Sequence, residues 1–255
     1  MNVKIFDDKT VLGMEAAKAG AVKLRAALAA QGKASVILAT GASQFEMLDA
    51  LLRESGIDWS RINIFHLDEY IGLPADHPAG FRKYLWTRFI SKLPVPPAAF
   101  HPVNGSAEEP EAVCEELGKL IRANPIDVAF IGIGENGHIA FNEPVDPSQI
   151  SVRDYAELPT RVLPLTKETI DQNTKITANG DSSLVPRFAA TTGMKPILKS
   201  KRELLLACFA EQEAPLRRMI GGKAPTPALP ASYLLEHPDF RLIYTADKIN
   251  LDDVL

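Results

Sequence analysis

The chain has 255 residues, 46% of them hydrophobic and 24% charged, with a formal net charge of −4. That is enough apolar material for one large core, expected here as a single domain over 1–255, and it gives no electrostatic pull towards nucleic acid or an anionic membrane. No apolar run is long enough to span a bilayer, the start of the chain lacks the basic and apolar regions of a signal peptide, and Cys114 and Cys208 stand far apart in apolar surroundings. A soluble cytoplasmic protein with a small-molecule partner is therefore expected.

The first predicted helix carries Met14, Ala17, Ala21, Leu24 and Leu28 at spacings of three and four, with Glu15, Lys18 and Arg25 off that stripe and Gly32 as its stop. Two short β-rich runs follow, Val36-Ile37-Leu38-Ala39 and Ile62-Asn63-Ile64-Phe65. A second helix is predicted over 81–93, with Phe81, Tyr84, Leu85 and Phe89 on its core side and Pro94-Val95-Pro96-Pro97 ending it. Runs at 128–133, 204–208 and 242–244 supply further strands. Between them, 144–156 is a connection bearing Pro and Asp, and 179–183, Asn-Gly-Asp-Ser-Ser, reads as a flexible loop. Strands alternating with helices call for parallel pairing through right-handed crossovers. The predicted architecture is an open, Rossmann-like layered α/β domain, a mostly parallel sheet flanked by helices.

Ligands of such sheets bind beyond the carboxyl ends of the strands, which selects three loops. In the first, Thr40-Gly41-Ala42-Ser43 passes from strand to helix through small residues. It is either an anion cradle of backbone N–H groups and hydroxyls or a tight turn with Ser43 as helix cap. The second places Asp68 and Glu69 side by side at a strand end, where neighbouring side chains point to opposite faces, so one of the two is expected to enter the pocket. A carboxylate partly desolvated there becomes a competent base for a proton beside a carbonyl, whereas a solvated pair would be structural. The third loop, 132–143, sets Asn136, Gly137, His138 and Glu143 in a glycine-rich turn after an apolar strand. Its imidazole either moves protons or merely satisfies a backbone carbonyl. No Gly-x-Ser-x-Gly elbow supplies a nucleophile, and the other four histidines are isolated, so neither a metal nor a cofactor is expected.

Three segments together resemble the glucosamine-6-phosphate deaminase family, aldose–ketose isomerases and deaminases of amino-sugar catabolism. They are Leu67-Asp68-Glu69-Tyr70-Ile71-Gly72-Leu73-Pro74, the run from Gly134 to Pro144 ending Phe-Asn-Glu-Pro, and the Thr40-Gly41 turn. The related 6-phosphogluconolactonases share the glycine turn with its His but not that ending. Later segments, 190–194 and 230–237, agree in outline. The resemblance implies that Asp68 carries a proton between carbons 2 and 1, and that His138 assists ring opening with Glu143 and Asn136 in support. It also implies that Thr40, Gly41, Ala42, Ser43, Glu69 and Gly137 contact the substrate, an amino-sugar phosphate, and it leaves a homo-oligomer open. Many relatives have Asp where this chain has Asn136.

The chain departs from the family pattern at Glu213, where relatives carry a Lys, and near Lys175, where an Arg is expected, with Arg187 lying beyond the following Pro. Either Glu213 faces the pocket and repels a phosphate, or Arg217 or Arg218, one helical turn on, reaches in. Leu163-Pro164 also stands where an allosteric Lys-Thr pair occurs in some bacterial relatives. Two other functions remain open from sequence: hydrolysis of a sugar lactone, and sugar-phosphate binding without turnover. The absence of a basic helix-turn-helix and the presence of Asp68, His138 and Glu143 argue against the second.

Overall fold

Seven strands form one parallel sheet, and the order in which the chain visits them fixes where a ligand would sit. The computed structural model describes residues 2–177, 180–222 and 224–255. In chain order the sheet takes β1 (Asn2–Phe6), β2 (Ala34–Leu38), β3 (Ile62–His66), β5 (Ala99–His101), β6 (Val128–Ile131), β9 (Glu203–Ala207) and β10 (Phe240–Thr245). In space the order is β1-β10-β9-β6-β2-β3-β5. From β2 the chain steps outward through β3 to β5, then returns to β6 on the other side of β2 and continues to β9 and β10. The direction of winding therefore reverses between β2 and β6, and a crevice opens between their carboxyl ends. All five predicted strands lie in this sheet. The edge strands β1 and β5 add to the prediction.

Alternation along each strand divides two apolar layers. Val36, Leu38, Ile64, Val128 and Phe130 face α1 (Lys9–Gln31) and α2 (Phe45–Leu51). Ile37, Phe65, Ala129 and Ile131 face the layer that holds α4 (Pro110–Ala123) and α8 (Glu213–Gly221). Asp8 caps the start of α1, its Oδ1 accepting from the Thr10 and Val11 N–H groups, and Gly32 stops it as expected, in the left-handed region.

The predicted stripe of α1 is rotated from the real one. Met14 is exposed and Leu28 half-buried, while Leu12, Gly13, Ala16, Ala17, Gly20, Ala21, Leu24 and Ala27 are buried. The reason is close approach: a Cβ on Gly20 would lie 2.2 Å from the ring of Phe130, so this face admits small residues and turns the long Met14 outward. The second helix is also shorter than predicted. α3 spans Phe81–Arg88, and a 3-10 turn over Ile90–Lys92 follows. Between them Phe89 leaves helical backbone geometry and sets its ring edge-on against Trp59, with centroids 5.4 Å apart.

A small antiparallel sheet, β4 (Asp68–Tyr70), β8 (Phe188–Thr191) and β7 (Arg161–Pro164), was not predicted. It pairs Asp68 and Arg161 with opposite sides of Thr191 and holds the segment after β3 against the loop after β6. Among the described residues there are three further α-helices, α5 (Val152–Ala156), α6 (Lys167–Thr177) and α7 (Met194–Leu198). Of the loop expected to be flexible, Asn179 lies outside the described residues. Its remainder turns through a 3-10 segment, Ser182–Leu184, capped by Asp181.

Candidate active site

At the carboxyl end of β2 the chain makes a 3-10 turn, Ala42–Gln44, before α2. Ser43 lies inside that turn and makes no cap hydrogen bond, which removes the helix-cap reading. Its hydroxyl accepts from Gln44 Nε2 at 3.0 Å, and the same amide donates to the Ile131 carbonyl at 3.1 Å, lashing the loop to the end of β6. The first N–H groups of a helical turn, here those of Ala42 and Ser43, have no acceptor within it, and Gly41 leads into them in extended geometry. Thr40 Oγ1 is buried without a hydrogen-bond partner among the described residues, so this loop keeps donor capacity in reserve.

The two adjacent acids part as their strand position requires. Glu69 turns to the start of α3, where its carboxylate accepts the N–H groups of Tyr70, Phe81 and Arg82 at 2.9, 3.1 and 2.7 Å. Burial raises its pKa, opposed by those N–H groups and the Arg82 charge. Glu69 was expected to contact substrate. In the structure its carboxylate caps the start of α3. Asp68 is 7% exposed, and its carboxylate accepts no hydrogen bond from the described residues. Burial, with the Glu69 charge beside it, pushes its pKa up to about 8.

The loop after β6 is built around one imidazole. A Cβ on Gly134 would fall 2.2 Å from the His138 ring, so only glycine lets the ring lie across the backbone there. Gly137 closes the turn, its N–H on the Gly134 carbonyl and its own carbonyl taking the Ala231 N–H, so its backbone is already engaged. Asn136 Oδ1 accepts the His138 N–H at 3.0 Å while its Nδ2 donates to Glu143 Oε2 at 2.9 Å. Glu143 Oε1 takes the Thr166 N–H at 3.3 Å, and its Oε2 stands 3.6 Å from His138 Nδ1. Burial lowers the pKa of His138, with Glu143 pulling the other way. The loop ends through Ala140 in the left-handed region, φ 54°, a strained setting for a residue with a Cβ, and the Phe141 N–H is held by Thr191 Oγ1.

Neither alternative for the phosphate end matches the structure. Glu213 Oε1 accepts from Arg217 Nε at 3.0 Å and its Oε2 from the Asn250 N–H at 2.9 Å, bonds that hold its pKa below the usual carboxylate range. Arg217 is spent on Glu213, Asp253 and the Asn250 carbonyl, and Arg218 reaches the Ala228 carbonyl. The side chain of that turn that does meet the β6 end is Gln212. Its Nε2 donates to the Ile133 carbonyl at 3.3 Å while its Oε1 accepts the Cys208 and Phe209 N–H groups. Lys175 and Arg187 are exposed.

Sequence reasoning missed Gln44, Gln212 and the pair Thr166 and Thr169, whose hydroxyls complete the His138 network from just before α6 and from its first turn. Polar residues beside the selected loops could have flagged the two glutamines. The two threonines carry no local signal.

An open α/β sheet with a buried carboxylate unpaired among the described residues and a His–Glu–Asn cluster at its winding reversal defines a class of small-molecule enzyme sites. Comparison with known proteins narrows this. Residues 7–154 match the family described as glucosamine-6-phosphate isomerases/6-phosphogluconolactonase. The chain is 38% identical to a glucosamine-6-phosphate deaminase of Lacticaseibacillus paracasei over 95% of both chains, and 39% identical to glucosamine-6-phosphate deaminase 1 of Giardia intestinalis over 82% of this chain and 77% of the other. A solved monomeric glucosamine-6-phosphate deaminase superposes with a TM-score of 0.86 at 28% identity, over 97% of this chain and 98% of that one. A 6-phosphogluconolactonase from Shewanella baltica shares the fold at a TM-score of 0.75 and 21% identity, over 96% and 98%. The chain belongs to the glucosamine-6-phosphate isomerase/6-phosphogluconolactonase family.

Proposed function

We propose that residues 1–255 act as one domain, a cytoplasmic enzyme that converts an amino-sugar phosphate, glucosamine 6-phosphate or a close analogue, to a ketose phosphate and ammonia. The observation that carries this reading is that Asp68, a carboxylate free of protein partners among the described residues, lies opposite Thr191, whose hydroxyl holds the loop of the His138–Glu143–Asn136 cluster. Such a reaction needs two proton-handling stations, one at the ring oxygen and one at carbon 2. His138 serves ring opening, with Glu143 and Asn136 orienting it. Asp68 takes the carbon-2 proton of the open chain and returns it at carbon 1. Removal of that proton, with a proton added to the carbon-1 oxygen, gives the enolamine, and its return at carbon 1 gives an imine at carbon 2, which water hydrolyses to the ketone and ammonia. Thr40 Oγ1 and the N–H groups of Gly41, Ala42 and Ser43 hold the phosphate, through neutral donors in the main. The relatives' names and the two unpaired buried thiols, Cys114 and Cys208, support the activity and the location respectively.

The test is ammonia release, coupled to a dehydrogenase, across a panel of amino-sugar phosphates. Turnover of glucosamine 6-phosphate or its galactosamine isomer, with unphosphorylated glucosamine much poorer, is expected. Hydrolysis of a 6-phosphosugar lactone with no ammonia from any amino sugar would overturn the assignment.

A further inference from the structure

His138 is linked through its Nδ1 to a hydroxyl that nothing in the reaction so far requires. Thr169 is 1% exposed, and its Oγ1 lies 3.3 Å from that nitrogen. The direction of this hydrogen bond follows from counting donors. Asn136 Nδ2 has two protons: one goes to Glu143 Oε2 at 2.9 Å, and the other is shared between Thr166 Oγ1 at 3.5 Å and Thr169 Oγ1 at 3.4 Å. Thr166 Oγ1 also accepts the Thr169 N–H at 3.3 Å, so its own proton points to Thr169 Oγ1, 3.2 Å away. Thr169 Oγ1 is then an acceptor twice over, and the acceptor within reach of its proton is His138 Nδ1.

We infer that Thr169 is a positioning residue that sets the tautomer of His138, donating to Nδ1 so that the neutral ring carries its proton on Nε2. Glu143 does not compete for Nδ1 in this state, because it stands 3.6 Å off and is held by Asn136 and the Thr166 N–H. Nε2 makes no hydrogen bond with the described residues, so the resting ring offers an N–H donor to whatever occupies the crevice. For a pyranose that partner is the ring oxygen, where negative charge develops as its bond to carbon 1 breaks: the Nε2–H of the neutral ring stabilises that charge by a hydrogen bond, while the proton the oxygen finally gains is the one the anomeric hydroxyl gives up. Without the hydroxyl, the proton moves to Nδ1 to meet the Glu143 carboxylate, and a bare Nε2 lone pair then faces an oxygen lone pair. The inference rests on the proposed role of His138, yet the tautomer is measurable without turnover.

Nitrogen-15 shifts of the His138 ring in the intact protein give that measurement, with Thr169→Val as the isosteric variant, Thr169→Ala as a second in case the first does not fold, and Thr169→Ser as the rescue. Wild type and Thr169→Ser are expected in the Nε2–H form, and Thr169→Val or Thr169→Ala in the Nδ1–H form. With an active substrate, kcat falls about 10²-fold in Thr169→Val with KM little changed, and Thr169→Ser restores it. An Nε2–H ring in Thr169→Val, or an Nδ1–H ring in wild type, overturns the inference whatever the enzyme turns over. The expected tautomers without ammonia release would leave the inference standing and remove the proposed function instead.

Discussion

At the amino end of the sheet, just before β6, Asp127 is 1% exposed, and its carboxylate accepts the Ser35 N–H at 2.9 Å and the Lys201 ammonium at 2.6 Å, with the Gln31 amide at 3.4 Å. At the carboxyl end, just after β3, Asp68 is buried nearly as deeply and receives no hydrogen bond from the described residues. The same residue type is neutralised at one edge of the sheet and left wanting a partner at the other. Burial of a carboxylate without compensation costs stability, so the fold tolerates at Asp68 what it avoids at Asp127. That asymmetry supports the proposal that the chain does its chemistry at the carboxyl edge, and each of the following experiments acts on one side of it.

Asp68→Asn has the largest expected effect, a loss in kcat of about 10²–10⁴-fold with the fold intact, measured by ammonia release and circular dichroism. The sign of its pH behaviour follows from the direction of the shift. The unfolded chain ionises Asp68 near 3.8 and the folded one near 8, so stability from this group is complete below the lower value and is lost as pH climbs between the two. Asn at 68 removes that loss, so the variant should gain in melting temperature on wild type as pH rises towards 8. In wild type, kcat/KM should rise over the upper part of the same range as the base ionises. Turnover unchanged in Asp68→Asn would end the comparison outright.

Gly134→Ala tests the other half of the carboxyl edge. The added Cβ must displace the His138 ring, and a misplacement of about 1 Å costs on the order of 10²-fold in kcat. The melting temperature should move far less than activity does. Equal losses in both would mean that Gly134 serves the fold and not the imidazole.

How much of this edge was legible in the sequence depended on the range of the signal. The five inner strands were readable because a strand covered on both faces is a continuous apolar run. The Asp68, His138 and Glu143 positions were readable because strand ends followed by glycine and polar groups announce themselves locally. The edge strand β5 and the sheet made by β4, β7 and β8 were not, since three or four residues carry too little periodicity to register. On α1, spacing was right in period and wrong in phase, because alanine and glycine carried the buried face and hydropathy ranks Met14 above them. Glu213 faces away from the β6 end. Each residue on a helix turns the side chain by roughly 100°, so Gln212 reaches Ile133 while its neighbour meets Arg217 and Asn250. Thr169 reaches His138 across a separation of 31 residues that no local pattern spans.

Asp127→Ala belongs to the quiet edge. It strands the Ser35 N–H, and the expected cost is about 2 kcal/mol of unfolding free energy in urea, with kcat unchanged. Lys201 is half-exposed and adds little to that figure, because water solvates its ammonium when the partner is gone. A fall in kcat with stability preserved would mean that the amino end also takes part in the chemistry.

Glu203 is the exception at the amino edge, and its effect falls on the pH dependence of stability alone. It begins β9 between Phe240 of β10 and Ala129 of β6, is fully buried, and burial holds its pKa well above the ordinary value against the pull of the Ser200 hydroxyl. The folded protein therefore keeps Glu203 protonated where the unfolded chain has ionised it, and folding takes up a proton at every pH above about 4.5 and below the raised value. Stability from this group is complete in acid and is lost as pH rises, by at most about 1.4 kcal/mol for each pH unit. Glu203→Gln keeps the shape of the neutral acid and removes the proton uptake. Urea midpoints of the two proteins should converge near pH 5 and separate in favour of the variant towards pH 8, with kcat the same in both. Parallel midpoints across that range would place a charged, compensated carboxylate at 203 and leave Asp68 as the sole uncompensated acid of the contrast.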